Sequence, residues 1–330
     1  MKVPTINTPE VKALEAQTLV VKAPGLLTTV QDLGREGFGH LGISPSGAAD
    51  SVALRLGNRL VGNPAGAAGL EMTLIGGTFV FPDDAIIALT GADFAASLEN
   101  VAVPLWTSIA VRAGQTLRTG ATLSGARCYL CVRGGIAIKP FLGSASTHLL
   151  SGLGGHEGRA LRKGDTLNIA MVDSSFHKRS ITAKALDRLQ PRKVLRVTPG
   201  PQQELFTPAA LKTFHENTFR VAEESNRMGL RLEGPPLADC ALGEMITEGV
   251  SLGAVQITPA GFPIILFVEQ QTTGGYAKIA NVISADFSSL GQLRPRDEIR
   301  FEPVDWETAR RLLIDQEQLL ASNELWTGHT

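Results

Sequence analysis

Thr28-Thr29-Val30-Gln31-Asp32-Leu33-Gly34-Arg35, followed by Ser44-Pro45-Ser46-Gly47-Ala48-Ala49-Asp50, sets how the rest of the chain is read. An apolar lead-in (Val20, Val21, Leu26, Leu27) runs into an amide, a carboxylate, a guanidinium and two serine hydroxyls. Gly34, Gly37, Gly39, Gly42 and Gly47 interrupt the polar residues. Glycine permits positive φ and close backbone approach, and polar side chains on such a loop are candidates for a site. A second segment repeats the pattern 240 residues on, counted from Gly34 to Gly274. There the apolar run Pro263–Val268 leads into Glu269-Gln270-Gln271-Thr272-Thr273-Gly274-Gly275-Tyr276. Each turn is expected at the end of a buried strand.

Outward from these turns, the chain reads as short strands bounded by Gly, Pro, Asp and Asn. Candidates are Thr78–Phe81, Ala85–Thr90, Ala126–Val132, Leu167–Met171, Val194–Thr198, Phe219–Ala222, Ala254–Ile257, Ile264–Val268 and Glu298–Phe301. Three helices are predicted: Asp50–Leu60, with Asp50 as N-cap, Glu204–Phe214 and Trp306–Leu320. Val111-Arg-Ala-Gly-Gln-Thr-Leu117, Leu161-Arg-Lys-Gly-Asp-Thr-Leu167 and Leu293-Arg-Pro-Arg-Asp-Glu-Ile299 share one pattern, a tight turn delivering the chain into a strand. The expected architecture is mainly β with a few helices. Its expected parts are an N-terminal extension (1–19), a β-rich subdomain (20–173), a polar, basic linker (174–193), a second β-rich subdomain (194–304), and a C-terminal helix and tail (305–330).

The charge balance is 31 basic against 32 acidic residues, −1 in all, with no basic stripe, which argues against nucleic acid as a partner. No stretch is apolar enough for a membrane span, and residues 1–19 lack the apolar core of a signal peptide, so a cytoplasmic location is expected. Cys128 and Cys131 fit C-x-x-C by spacing. On a strand they face opposite sides, so neither a disulfide nor a shared metal is expected. No other Cys or His has zinc-ligand spacing, and no metal site is expected.

Arg35 is the anion-binding candidate, through a bidentate guanidinium, unless it pairs with Asp32 or Asp50. Gln31 either hydrogen-bonds a lactam or ureido group or holds loop backbone. Ser46 and Asp50 flank a helix start, where they cap it or face a ligand drawn to its N–H groups. Asn58 and Arg59 point about 100° apart on that helix, so one of them is expected at a polar pocket or interface. Glu71 and Asp93 each follow a glycine by two residues. Each is a general base if desolvated, or a turn-capping carboxylate. Gln271, Thr272, Thr273, Gly274 and Gly275 read as an oxyanion-type turn, and Tyr276 as a group to stack on a flat ligand. There is no Walker ATP motif and no G-x-S-x-G elbow.

Together these stretches resemble the carboxyltransferase-domain family that includes the C subunit of 5-oxoprolinase, the Kip-inhibitor antagonist and urea amidolyase. The resemblance rests on Pro24–Arg35, Ser46-Gly47-Ala48, Asn58–Asn63, Leu89–Asp93, Gly134-Gly135-Ile136, Leu142-Gly143-Ser144, Gly158-Arg159, Pro199–Gln202, Arg227-Met228-Gly229 and Gln271–Tyr276, in family order. Departures are Ala49 for a usual methionine, Asn226 for aspartate, Arg296 for a turn glycine, and Glu269-Gln270 for Asp-Arg.

The resemblance implies two cyclophilin-like β-barrel subdomains. It also implies a companion of the Kip-inhibitor type, the B component of 5-oxoprolinase, with a lactam-utilisation protein, the A component, as a further partner. It implies ATP-dependent opening of 5-oxoproline to glutamate, with ATP used in the assembled complex. Arg35, Asp32, Gln31, Asp93 and Glu71 are then the catalytic candidates, and Arg59 joins Arg35 as a cation for the activated amide. Ser46, Asp50, Asn58, Arg59 and Gln271 through Tyr276 are the substrate-binding candidates. The alternatives are biotin-dependent carboxyl transfer to urea or a related amide, with biotin on a separate carrier, and a non-catalytic regulator that binds a Kip-type kinase inhibitor.

Overall fold

The computed structural model describes residues 17–172, 176–237 and 245–327. The mainly β architecture is found, and every predicted strand is present within a few residues of its expected bounds. From residue 194 on, seven strands close a barrel in the order Val194–Pro199, Lys278–Val282, Ala254–Ile257, Pro263–Leu266, Gly229–Glu233, Phe219–Val221 and Glu298–Pro303. The first and last of these pair in parallel, Val194 opposite Arg300, and this pairing completes the ring. Closure leaves no free sheet edge. Its interior is packed by Leu195, Val197, Val255, Ile257, Ile265, Ile279 and a phenylalanine group in which Phe214 stacks on Phe301 at 4.3 Å.

The N-terminal half encloses its core between two open sheets rather than in one closed ring. A six-stranded sheet is built on Gln17–Ala23, Thr78–Val80 and Thr116–Arg118. A five-stranded antiparallel sheet runs Leu27–Gln31, Gly69–Thr73, Ser124–Val132, Ala85–Asp93, Ser108–Val111. Side chains alternate along Ser124–Val132. Cys128, Leu130 and Val132 face the core between the sheets, whereas Tyr129 and Cys131 face the helix Ser51–Leu60. The two thiols are therefore free and on opposite faces, as strand geometry requires. Cys240 lies outside the described residues.

Helix Ser51–Leu60 starts where expected, with the Asp50 carboxylate accepting from Ala53 N–H at 2.9 Å. It packs tightly on the sheet: a Cβ on Gly57 would sit 2.7 Å from Cys131 Sγ. Its apolar face also receives Leu319, Leu320 and Leu325, from the helix Trp306–Ala321 and the turn that follows it. Arg55 and Glu317 clamp the two helices through two hydrogen bonds of 2.7 Å.

Some elements were not foreseen. Strand Gln17–Ala23 begins inside the stretch read as an extension, and Phe287–Gln292 is a short helix. The stretch read as a linker, 174–193, of which 176–193 are described, holds the helix Ala183–Leu189 capped by Thr182. Only Ile181 and Ala185 of that segment are fully buried, so its composition stays that of a surface. The predicted helix Glu204–Phe214 is a 3₁₀ turn, Gln203–Leu205, followed by the helix Pro208–Glu216.

The three-fold sequence pattern is one turn used three times. Gln115, Asp165 and Asp297 each donate their backbone N–H to the carbonyl of Arg112, Arg162 and Arg294. The residue before each donor has positive φ: Gly114 at 82°, Gly164 at 95° and Arg296 at 71°.

Candidate functional site

The loop after strand Leu27–Gln31 folds back on itself because Gly34 and Gly47 meet. A Cβ on Gly34 would sit 2.8 Å from Pro45 O, and one on Gly47 would sit 2.9 Å from Gly34 N. Both take positive φ, 90° and 94°. The loop then docks on the barrel through Ser46 N–H to Val268 O at 2.9 Å. Between loop, barrel and helix Trp306–Ala321 lies a cleft of about 920 Å³, whose wall includes Arg35, Ser46, Gln270, Thr272, Asn281 and Trp306.

Arg35 is the buried cation of this cleft, only 2% exposed, whereas Arg310 on the opposite helix is exposed. Its Nη2 donates to Ser146 O, and its Nε to Phe141 O at 3.3 Å. Nη1 has no hydrogen-bond partner among the described residues. Burial lowers its pKa from the usual value, opposed by Asp32 and Glu269. An arginine stays charged even so, and an unsatisfied buried N–H of a cation is costly. A carboxylate or phosphoryl oxygen in the cleft would satisfy it. Gln270 Oε1 also lacks a partner, and Ser46 Oγ donates to Thr147 O at 2.7 Å.

Behind the cleft wall, Asp32 gathers residues 144–146. It accepts from Gly34 N–H at 2.8 Å, from Ser144 Oγ at 2.6 Å, from Ala145 N–H at 2.6 Å, and from Ser146 Oγ. Arg35 reads off the same segment, so the carboxylate fixes where the guanidinium points.

Residues 41–303 match the profile of the carboxyltransferase domain, subdomains A and B. The chain belongs to this carboxyltransferase-domain family. It is 40% identical to the C subunit of 5-oxoprolinase from Escherichia coli (strain K12) over 89% of this chain and 94% of that one. It is 38% identical to the Haemophilus influenzae protein of the same name, over 86% of this chain and 90% of that one. The fold matches the crystal structure of Kluyveromyces lactis urea amidolyase with a TM-score of 0.86 and 31% identity, over 95% of this chain but 20% of that one. The relatives are subunits or segments of enzymes, and a role within an enzyme complex follows for this carboxyltransferase-domain chain.

The sequence-predicted residues divide sharply within this fold. Arg35, Ser46 and Thr272 line the cleft. Gln31 lies behind it, fully buried, its Nε2 donating to Thr29 Oγ1 and Thr147 O and its Oε1 unpartnered. Asp50 caps its helix and accepts from Gln292 Nε2 at 2.7 Å, so that helix start already holds its own carboxylate. Burial pushes the Asp50 carboxyl up.

Glu71 is 1% exposed and serves as a buried counter-ion. Arg227 and Arg127 pair with it, Ala49 N–H and the Tyr129 hydroxyl donate to it, and it is not on the cleft wall. Burial alone would raise its pKa, but the two guanidiniums and two hydrogen bonds outweigh this and hold it below the usual range. Asp93 caps a turn at Ala95 N–H. Asn58 organises the following loop through Ala67 O and Asn63, and Arg59 lies over the Trp326 ring at 5.0 Å, away from the cleft. Thr273-Gly274, expected in a free oxyanion turn, form a short strand paired with Glu248-Gly249. Neither Gly274 nor Gly275 has the positive φ an anion nest needs. Gln271 and Tyr276 are exposed beside this hairpin.

Sequence reasoning assigned no role to three groups. Arg227 bridges Glu71, Glu269 and Gly47 O, tying both glycine-rich turns to the five-stranded sheet. Its place in the Arg227-Met228-Gly229 stretch, one of those that carry the family resemblance, was the available signal. His148 accepts from Ser151 N–H at Nδ1, which places its proton on Nε2, 2.8 Å from Ser44 Oγ. In that tautomer the imidazole donates to the serine and is no base for it. Lys278 is a buried cation on the barrel wall, and its i, i+2 spacing to Ala280 and Val282 hid it in a strand.

Proposed function

We propose that this chain is the C subunit of an ATP-dependent 5-oxoprolinase, which opens the lactam of 5-oxoproline to glutamate together with companion subunits. The observation that carries the reading is Arg35, a guanidinium 2% exposed, on the wall of a cleft, with one nitrogen unpartnered. Similarity to two 5-oxoprolinase C subunits over most of both chains supports it.

ATP is the co-substrate: its terminal phosphoryl passes to the amide oxygen with release of ADP, water attacks the carbonyl carbon, and phosphate leaves as the ring C–N bond breaks to give glutamate. Arg35 would face the charge that builds on the activated amide, while Ser46 and Thr272 line the same cleft and orient the ring. Asp32 holds Arg35's anchor segment in place rather than moving a proton. The companion is a protein of the Kip-inhibitor type, with a lactam-utilisation protein as the third component.

Measuring 5-oxoproline-dependent ATP hydrolysis with the chain alone, and with the companion subunits added, tests this reading. Activity that requires all components is expected. ATP hydrolysis indifferent to this chain would remove the proposal.

A second reading is biotin-dependent carboxyl transfer to urea or a related amide. It is favoured by the match to K. lactis urea carboxylase, TM-score 0.84 over 95% of this chain. Biotin would then arrive on a separate carrier, and co-purification with a biotinylated protein would distinguish it.

A further inference from the structure

A second polar cluster lies next to the cleft, on the outer face of the barrel. Gln256 and Lys278 are cross-strand neighbours on Ala254–Ile257 and Lys278–Val282. A register shift in this pairing sets Lys278, rather than Ile279, opposite Gln256. The core takes Val255, Ile257 and Ile279, and Gln256 and Lys278 are not part of it. Both are nevertheless buried, 1% and 3% exposed.

What covers them is the hairpin of Glu248-Gly249 and Thr273-Gly274. A Cβ on Gly274 would lie 2.6 Å from Gln256 Nε2 and 2.9 Å from Gln271 Nε2, so both amide nitrogens approach the hairpin backbone at one point. Gln256 Nε2 has no acceptor among the described residues. Lys278 Nζ lies 2.5 Å from Glu248 Oε1. Glu248 is 45% exposed at its side chain and is also held by Gln202 Nε2 at 2.6 Å.

The cluster therefore presents one ammonium and two amide nitrogens as donors, against a single carboxylate from a two-residue strand. A buried amide without an acceptor is costly, and so is a buried cation whose counter-ion is a half-exposed carboxylate, unless something satisfies them. The same hairpin reaches the cleft, because Val250 N–H bonds to Thr272 O at 3.1 Å and both residues line the cleft wall.

We propose that Lys278, Gln256 and Gln271 form a carboxylate-binding site continuous with the cleft, and that Glu248 occupies it as an internal stand-in that a small carboxylate displaces. This inference rests on the oxoprolinase reading for the identity of the carboxylate, the one carried by 5-oxoproline.

Titration calorimetry of the full chain, alone and with its companion subunits, tests the site. The probes are 5-oxoproline, its carboxylate-free analogue 2-pyrrolidinone, and acetate. The expected result is about a tenfold or greater preference for 5-oxoproline over 2-pyrrolidinone, the size of a charge-assisted contact. Lys278→Gln abolishes that preference. Glu248→Gln, an exposed change that leaves the core intact, tightens carboxylate binding because the internal competitor is gone.

If Glu248→Gln leaves carboxylate affinity unchanged and Lys278→Gln keeps the preference, the pair is only a structural tie and the site is overturned. If acetate binds in a Lys278-dependent way but 5-oxoproline is not preferred over it, the site stands and the oxoprolinase reading falls. If no carboxylate binds with Lys278 dependence in either preparation, the site falls whatever the reaction.

Discussion

The Arg227 guanidinium, on the barrel, is paired with the Glu71 carboxylate, on strand Gly69–Thr73 of the five-stranded sheet, and both side chains are 5% exposed or less. The contact spans 156 residues of sequence. Arg227 also reaches Glu269 and Gly47 O, so one side chain fixes the relative position of both loops that border the cleft. Removing one partner of a buried pair leaves an uncompensated charge.

Glu71→Gln is expected to destabilise the protein by about 3 kcal/mol, within the range for breaking a buried pair. Chemical denaturation with a two-state fit measures it. A loss below about 1 kcal/mol, the size of an exposed pair, would show that water reaches the cluster.

Arg35→Ala in the assembled enzyme should lower turnover by about a hundredfold or more, the loss typical of a transition-state donor. Steady-state kinetics, beside a thermal melt of the variant, separate chemistry from folding. An unchanged kcat with an intact complex would reduce Arg35 to an anchor for Ser146.

Asp165 titrates at about 2, drawn down chiefly by its hydrogen bonds from Arg159. A depressed folded-state pKa means that the stabilisation is complete above the unfolded value of 3.8 and is lost as pH falls towards 2. Asp165→Asn should therefore remove about 1–2 kcal/mol of stability at pH 7, after allowance for solvent. It should remove almost none at pH 2. Melting curves of both proteins across that window check the sign.

The repeated turn predicts an asymmetric response. Gly114→Ala should cost about 1–2 kcal/mol, because its φ of 82° is left-handed while no atom lies within 4 Å of the added methyl. Arg296→Ala, at the equivalent position with φ 71°, should change stability by no more than about 0.5 kcal/mol, since the strain is already present. Equal losses at the two sites would contradict the shared-turn geometry.

Local signals made much of the fold legible. Strands such as Ala254–Ile257 and helix Ser51–Leu60 are bounded by their own turn and cap residues. Leu27–Gln31 and Lys278–Val282 were harder, because Thr28, Thr29, Gln31 and Lys278 are buried polar side chains in strands. Their acceptors and counter-charges come from distant segments, such as Thr147 for Gln31. Arg35 was legible because glycines surround a lone cation. Glu71 was not, since its neighbours in sequence reveal nothing of Arg227. Thr272 reached the cleft, whereas Gly274 and Gly275 were drawn into a hairpin whose other strand, Glu248-Gly249, gave no pattern of its own.

Leu319, Leu320 and Leu325 cover the apolar face of helix Ser51–Leu60, and Val194 finds its strand partner only at Arg300. During synthesis, chains emerge at about 5–20 residues per second and domains tend to fold from the N-terminus. Here the first half has to wait for the last. Until the final helix leaves the ribosome, the earliest helix shows bare leucine to the solvent and the barrel stands open along one seam. The nascent protein therefore carries an uncovered leucine face and an open seam until residues 298–325 have been made.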